Sequence, residues 1–235
     1  MQLFYNPNLE EKDTAFTFDS SESKHIVKVL RKKNGDELNI TNGKGFLFTA
    51  KIISDNVKKC EVEINSCNRT YPKAYRLHLA VAPTKMNDRY EWFLEKATEI
   101  GVDEITPLIC KRSERKIVKL DRMQRVIEAA MKQSLQTYLP KINEPIAFSE
   151  FMDQPTNGLK FIAHCEETER HELKRRIAAD QDVTILIGPE GDFTLSEIKK
   201  AYTVGYQPVA MGNTRLRTET AAIVACTIVA SINNG

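Results

Sequence analysis

Two short segments near the C-terminus constrain this chain most. Leu186-Ile187-Gly188-Pro189-Glu190-Gly191 and Met211-Gly212-Asn213-Thr214-Arg215-Leu216-Arg217-Thr218-Glu219-Thr220-Ala221 each follow an apolar run, and each puts glycine where that run must stop. Two strand ends therefore meet two tight turns, which is where open α/β sheets bind ligands. In the first segment Gly188 and Gly191 let main chain approach a flat ring closely, Pro189 stiffens the bend, and Glu190 offers a carboxylate to sugar hydroxyls or an amine. In the second, Arg215 and Arg217 stand just before a helix N-terminus whose first turn holds Thr218 and Glu219, a setting suited to a ligand carrying both charge and polar edges. A purely structural reading is also open for each: an ordinary turn after a buried strand, and Thr218 as a helix cap beside an Arg217–Glu219 pair.

The rhythm of the chain changes once. Up to about Arg69, short β-like runs (Gln2–Tyr5, Ala15–Phe18, Glu37–Thr41, Phe46–Ile53, Lys59–Ser66) alternate with turns such as Asn34-Gly35-Asp36 and Asn42-Gly43-Lys44-Gly45, which predicts a small β-barrel. One helix, Ser21 to Lys32, interrupts it, with Ile26, Val29 and Leu30 on one face and basic residues on the other. The polar stretch Asn68 to Lys73 reads as a hinge, dividing residues 1–70 from residues 71–235. Beyond it strand and helix patterns alternate. Leu77–Ala82, Ile105–Cys110, Leu159–His164, Val183–Ile187 and Pro208–Met211 read as strands, and Asp88–Gly101, Asp121–Leu135 and Thr218–Ile232 as helices. A further helix begins at the capping-box spacing Thr194-Leu195-Ser196-Glu197 and ends at Gly205. The fold class expected is α/β, with a mostly parallel sheet covered on both faces.

With 235 residues, 41% apolar and 28% charged, the chain has the composition of a globular protein with room for two units. Its longest apolar stretch, Thr220 to Ile232, is too short to cross a bilayer, and its first residues lack the pattern of a secretory signal, so a cytoplasmic location is expected. Five scattered cysteines without a Cys-x-x-Cys pair suggest reduced thiols. His164-Cys165, with Glu166, Glu167 and His171, matches no standard zinc spacing; no metal is expected, and the group reads as a strand end near the site. The net charge is only +2, but positive charge is concentrated locally. His25, Lys28, Arg31, Lys32 and Lys33 form one cluster and Arg112, Arg115 and Lys116 another, both suited to an RNA phosphate backbone.

In combination, the two loops resemble the cofactor loops of the knotted (SPOUT) methyltransferases. The match is closest to the ribosomal RNA small subunit methyltransferase E family and extends over nearly the whole chain. Lys96-Ala97-Thr98-Glu99-Ile100-Gly101-Val102 is similar to the family's Lys-Ala-Thr-Glu-Leu-Gly-Val, Arg112-Ser113 to its Arg-Ser, Gln133-Ser134 to its Gln-Ser, and His25 with Val29-Leu30-Arg31 to its His…Val-Leu-Arg. The resemblance implies an N-terminal PUA-like RNA-binding barrel, a C-terminal trefoil-knotted domain and a homodimer. It also implies S-adenosylmethionine held by Leu186, Ile187, Gly188, Pro189, Glu190, Gly191, Met211, Gly212, Leu216, Arg217, Thr218, Thr220 and Ala221. The acceptor it implies is N3 of a uridine in 16S ribosomal RNA of the small subunit, uridine 1498 in the usual numbering. This sequence departs from the pattern at Asp192, where the family has a second glycine, at Gln136, where an arginine commonly follows Gln-Ser, and after Gly212, where Asn-Thr-Arg replaces Pro-Arg.

N3 of uracil carries a proton between two carbonyls and is a poor nucleophile until that proton leaves. A cation aimed at O2 or O4 would stabilise the anion, and Arg217 is the residue expected there, with Glu219 or Glu190 as acceptor of the proton. An arginine cannot itself be that base, because it stays protonated. Two other readings stand beside this one: a SPOUT enzyme methylating a ribose 2′-hydroxyl, and an RNA-binding ribosome-assembly module without turnover. The lack of Gly-x-x-x-x-Gly-Lys-Ser/Thr and of Gly-x-Gly-x-x-Gly argues against nucleotide hydrolysis and dehydrogenase chemistry.

Overall fold

A computed structural model describes residues 2–166 and 171–233. The chain divides into two compact units, Met1–Pro72 with Met131–Leu139, and Lys73–Ala130 with Pro140–Gly235. The simple cut at residue 70 that the hinge suggests therefore misses a segment. Met131–Leu139 carries no composition signal, yet Gly45 donates to Thr137 O and Leu139 to Gly43 O, both at 2.9 Å, stitching it to the first unit.

That unit is a five-stranded sheet of β1 (Leu3–Tyr5), β2 (Ala15–Thr17), β3 (Glu37–Thr41), β4 (Phe46–Asp55) and β5 (Cys60–Arg69) in the order β1-β3-β4-β5-β2. The β4–β5 ladder is shifted in register at Thr49/Ala50 and Ile52/Ser54, and bulges of this kind bend and twist a sheet as a small barrel wall requires. Inside lie Phe4, Phe18, Ile26, Ile40, Phe48, Ile52 and Val62. The predicted helix over Ser21 to Lys32 is shorter. α1 covers Ser20–Lys24, starting where Asp19 accepts from the Glu22 amide at 2.8 Å, and then widens into a π-helical turn over His25–Val29. Arg31 follows at φ +57°, which ends the helix before the lysines.

The second unit runs β6 (Leu77–Val81), α2 (Asn87–Ile100), β7 (Glu104–Ile109), α3 (Leu120–Gln133, whose last turn belongs to the first unit), β8 (Lys141–Ile142), β9 (Ile146–Ala147), α4 (Phe148–Met152), β10 (Leu159–Ala163), β11 (His171–Glu172), β12 (Val183–Ile187), α5 (Leu195–Thr203), β13 (Gln207–Ala210) and α6 (Thr218–Asn233). Its strands lie in the order β11-β13-β10-β12-β6-β7-β8, with β9 beside β7, and every pairing in the sheet is parallel. Parallel strands need long crossovers, and the helices that supply them cover both faces. One face packs α4 and α5 over Ala80, Leu108, Ile162, Leu186, Phe193 and Tyr206. The other packs α2 against α6 through residues such as Tyr90, Phe93, Ala222 and Val229, all buried. Burying each large apolar side chain contributes about 1.5–3 kcal/mol. α2 ends at Gly101, whose φ of +111° lets Gly101 and Val102 both donate to Ala97 O.

The chain starts this sheet in the middle. It goes outward through β7 and β8, returns to lay β10 two places away, fills the gap with β12, and adds β13 outside β10. The carboxyl ends of β10, β12 and β13 finish level, since Ala163 lies opposite both Ile187 and Val209. Three loops consequently leave the sheet side by side at the point where the winding direction reverses.

Candidate cofactor and acceptor site

Those three loops enclose a cavity of about 340 Å³, in the range of a pocket for a small cofactor. His164 and Cys165 line it after β10, Gly188, Pro189 and Glu190 after β12, and Met211, Gly212 and Arg215–Thr218 after β13, with Ala221 on α6. Of the residues expected to hold a cofactor, Leu186, Gly191 and Thr220 stand apart from this lining. Leu186 is fully buried in the core, Gly191 is on the exposed outer side of its bend, and Thr220 faces a neighbouring groove.

The Gly188 bend is held from four directions. Behind it lies Phe193, itself fully buried against Phe148; a Cβ on Gly188 would lie 3.0 Å from the Phe193 ring, so a side chain there would have to push that buried ring aside by a few tenths of an ångström. Asp192 sits at φ +61°, a conformation that glycine adopts freely and aspartate tolerates, which accounts for the exchange of residue types at this position. Its carboxylate accepts from the Cys165 amide at 2.8 Å and thereby ties the β12 loop to the end of β10. Thr218, which the sequence offers as a helix cap, instead donates its hydroxyl to Gly188 O at 2.9 Å, a buried bond joining the two glycine-bearing loops. Arg217 takes the capping position, its carbonyl accepting from the Ala221 amide at 2.8 Å while its side chain is exposed beside the cavity.

The fourth support comes from the basic turn after β7. Arg112 donates to Gly191 O at 2.9 Å and to Phe193 O at 3.3 Å. Arg115 donates to Thr84 O and Lys85 O in the loop after β6, and the Lys85 amide in turn donates to Glu190 Oε1 at 2.9 Å. Both guanidinium groups therefore brace main chain around the bend, a role that a count of positive residues does not reveal. The same turn is anchored below, where the Lys111 amide donates to Glu197 of the Thr194 capping box and the Cys110 amide to Ser113 Oγ. Burial, with the nearby Glu197 and Asp192 carboxylates, pushes the Cys110 thiol well up, so it stays protonated. Replacing Arg112 by alanine removes charge-assisted bonds to two carbonyls. The expected result is about a tenfold loss of affinity for the molecule bound in the cavity, with the salt dependence of RNA binding unchanged, as calorimetry and filter binding at several salt concentrations would show.

Two carboxylate oxygens near the cavity are buried and lack a hydrogen-bond partner among the described residues: Glu190 Oε2 and Glu219 Oε2. Their residues line different spaces. Glu190 lines the cavity, whereas Glu219, only 5% exposed, lines an open groove on the far side of the Arg215–Arg217 loop. Its ion partner is Arg89 at 3.8 Å, where the sequence suggested Arg217. His164 marks the strand end as expected, buried with Nε2 2.8 Å from the Tyr202 hydroxyl; Glu167 of the same group lies outside the described residues. In the first unit Lys28, Arg31 and Lys33 are exposed, Lys32 reaches Glu37 O at 3.4 Å, and His25 Nε2 is 3.2 Å from the Gln2 amide nitrogen.

The matches to known families say which kind of α/β protein this is: an RNA methyltransferase of the SPOUT type. The family model for an RNA methyltransferase domain matches residues 71–230, and that for an RNA methyltransferase PUA domain matches residues 18–65. Ribosomal RNA small subunit methyltransferase E of Buchnera aphidicola is 31% identical over 221 residues, covering 90% of this chain and 86% of that protein. A solved structure from Porphyromonas gingivalis is 39% identical, with a TM-score of 0.92 over 100% of this chain and 99% of the other. The Neisseria gonorrhoeae ribosomal RNA small subunit methyltransferase E, solved with S-adenosyl methionine bound, is 28% identical, with a TM-score of 0.87 over 99% and 98% of the two chains. The chain belongs to the ribosomal RNA small subunit methyltransferase E family.

Proposed function

We propose that this protein transfers a methyl group from S-adenosylmethionine to N3 of a uridine in the small-subunit ribosomal RNA, the position numbered 1498 in 16S RNA, acting as a homodimer in the cytoplasm. No described helix is long and apolar enough to cross a membrane. The observation that carries the reading is the cavity between the Gly188 bend and the Met211–Arg217 loop, closed by the Thr218 hydroxyl on Gly188 O.

The residues present fit such a cofactor. Apolar surface from Ile187, Val209, Met211 and Leu216 suits a flat adenine, main-chain groups of the tight bend can read its edge, and the vacant Glu190 Oε2 suits ribose hydroxyls or an amine. When bound, the cofactor supplies an activated methyl on a sulfonium, so the protein's task is alignment and control of one proton. Arg217, exposed and lining both cavity and groove, would meet a uracil carbonyl oxygen and favour the anion. Of the two carboxylates, Glu219 is the one we assign to accept the N3 proton, because it lines the groove outside the cofactor cavity. RNA phosphates fall to Lys28, Arg31, Lys32 and Lys33 with His25, and to Lys116, while Arg112 and Arg115 act first as braces.

The test is direct. Small subunits from cells lacking the modification, incubated with the purified protein and cofactor, should yield N3-methyluridine on digestion and mass spectrometry. A methyl on ribose would assign the chain to 2′-hydroxyl chemistry, and no methyl at all, with RNA still bound, to an assembly role.

A further inference from the structure

Beside the cofactor cavity lies a second, open space of about 620 Å³, between α2 and the loop that enters α6. Asp88, Arg89 and Trp92 form one wall, and Arg215, Arg217 and Glu219 belong to the other. Arg215, Leu216 and Arg217 line both spaces, so a single stretch of loop separates them. Two features of this groove are unusual for a solvent-facing surface. Trp92, the only tryptophan of the chain, is 46% exposed, off the stripe of Tyr90, Phe93, Leu94 and Ala97 that α2 buries. Glu219 is buried with Oε2 lacking a hydrogen-bond partner among the described residues, and a buried acceptor left without a donor is destabilising.

Resting on the methyltransferase reading above, we propose that this groove is the acceptor subsite, in which Trp92 stacks on the target base and Glu219 Oε2 accepts the imide N–H of uracil. Aromatic faces are the usual platforms for unstacked RNA bases, and stacking is indifferent to base identity. The identity comes from Glu219. Uracil presents a donor at N3, whereas cytosine presents an acceptor there, which a carboxylate repels and which would leave Glu219 Oε2 still unpartnered. Arg215 and Arg217 on the dividing loop suit the carbonyl oxygens and adjoining phosphates of the same nucleotide. The walls also argue for a nucleotide over a second copy of the chain. Asp88, Arg89, Arg215, Arg217 and Glu219 surround only Trp92 and Leu216 as large apolar groups, and the buried centre of a subunit interface is depleted of charge.

The lone tryptophan makes the test clean, because the protein's indole emission reports on this site alone. With the full-length protein saturated in S-adenosylhomocysteine, a uridine-containing RNA hexamer should quench that emission saturably, and the same hexamer with cytidine should need at least tenfold higher concentration. On unmodified small subunits, Trp92→Ala should lower kcat/KM about tenfold or more while the S-adenosylmethionine Kd stays within twofold, and Trp92→Phe should recover most of the loss. Equal quenching by the two hexamers removes Glu219 from recognition and overturns the proposal. It is equally overturned by an unchanged kcat/KM in Trp92→Ala, or by a Trp92→Ala protein whose loss follows only from a changed oligomeric state. If the wild-type protein binds no S-adenosylmethionine by calorimetry, the underlying reading fails and the groove with it. Failure of the groove alone leaves cofactor binding intact.

Discussion

Arg217→Ala is expected to lower kcat by about 10²–10³ while changing the affinity for S-adenosylmethionine by less than about threefold. The asymmetry follows from position. Arg217 is exposed where cavity and groove meet, and its main chain, which survives the substitution, already caps α6 through the Ala221 amide. What alanine removes is a fixed cation beside a base that must become an anion, an interaction stronger in the transition state than in the ground state. Single-turnover rates and a calorimetric titration on the same preparation check it. Equal losses in rate and cofactor affinity would move Arg217 out of the chemical step and into the cofactor's wall.

Phe193→Ala should cost about 3–5 kcal/mol of stability. The ring is fully buried, packs on Phe148 at a centroid separation of 5.6 Å, and lies tight behind Gly188, 3.0 Å from where a Cβ would stand. Alanine leaves a cavity under the bend that shapes the cofactor site, so cofactor affinity should fall along with stability. Denaturant unfolding of the variant would show the shift, and saturating S-adenosylmethionine should recover part of it through binding to the folded state. A change below about 1 kcal/mol would mean that the bend is held chiefly by Arg112, Asp192 and Thr218.

What could be read from the residues was what local chemistry decides. The buried runs Leu77–Val81 and Val183–Ile187, the apolar stripes of α2 and α3, and the capping box at Thr194 each form where their patterns fall, because a period of apolar residues or a cap is a local cause. The two glycine-bearing segments marked the cavity for the same reason. Sequence reasoning missed what depends on distant partners. β8, β9 and β11 are two residues long and exist only because a neighbouring strand offers its edge. The sequence shows Arg112 and Arg115 as positive charges but not their hydrogen bonds to the carbonyls of Gly191, Phe193, Thr84 and Lys85. Trp92 had a legible signal, a tryptophan off its helix's apolar stripe, but its meaning rests on the loop that α6 brings beside it. Met131–Leu139 gave none, since the bonds tying it to Gly43 and Gly45 span about ninety residues of sequence.

The proposed chemistry requires the cavity after β10, β12 and β13 to hold the methyl donor beside the groove of Trp92 and Glu219. A crystal structure with S-adenosylmethionine tests it most directly. Adenine is expected against Leu216 and the Gly188 bend, with the methyl carbon facing Arg217 at the groove's edge. Density for the donor elsewhere on the protein, or in this cavity with its methyl directed away from the groove, would contradict it.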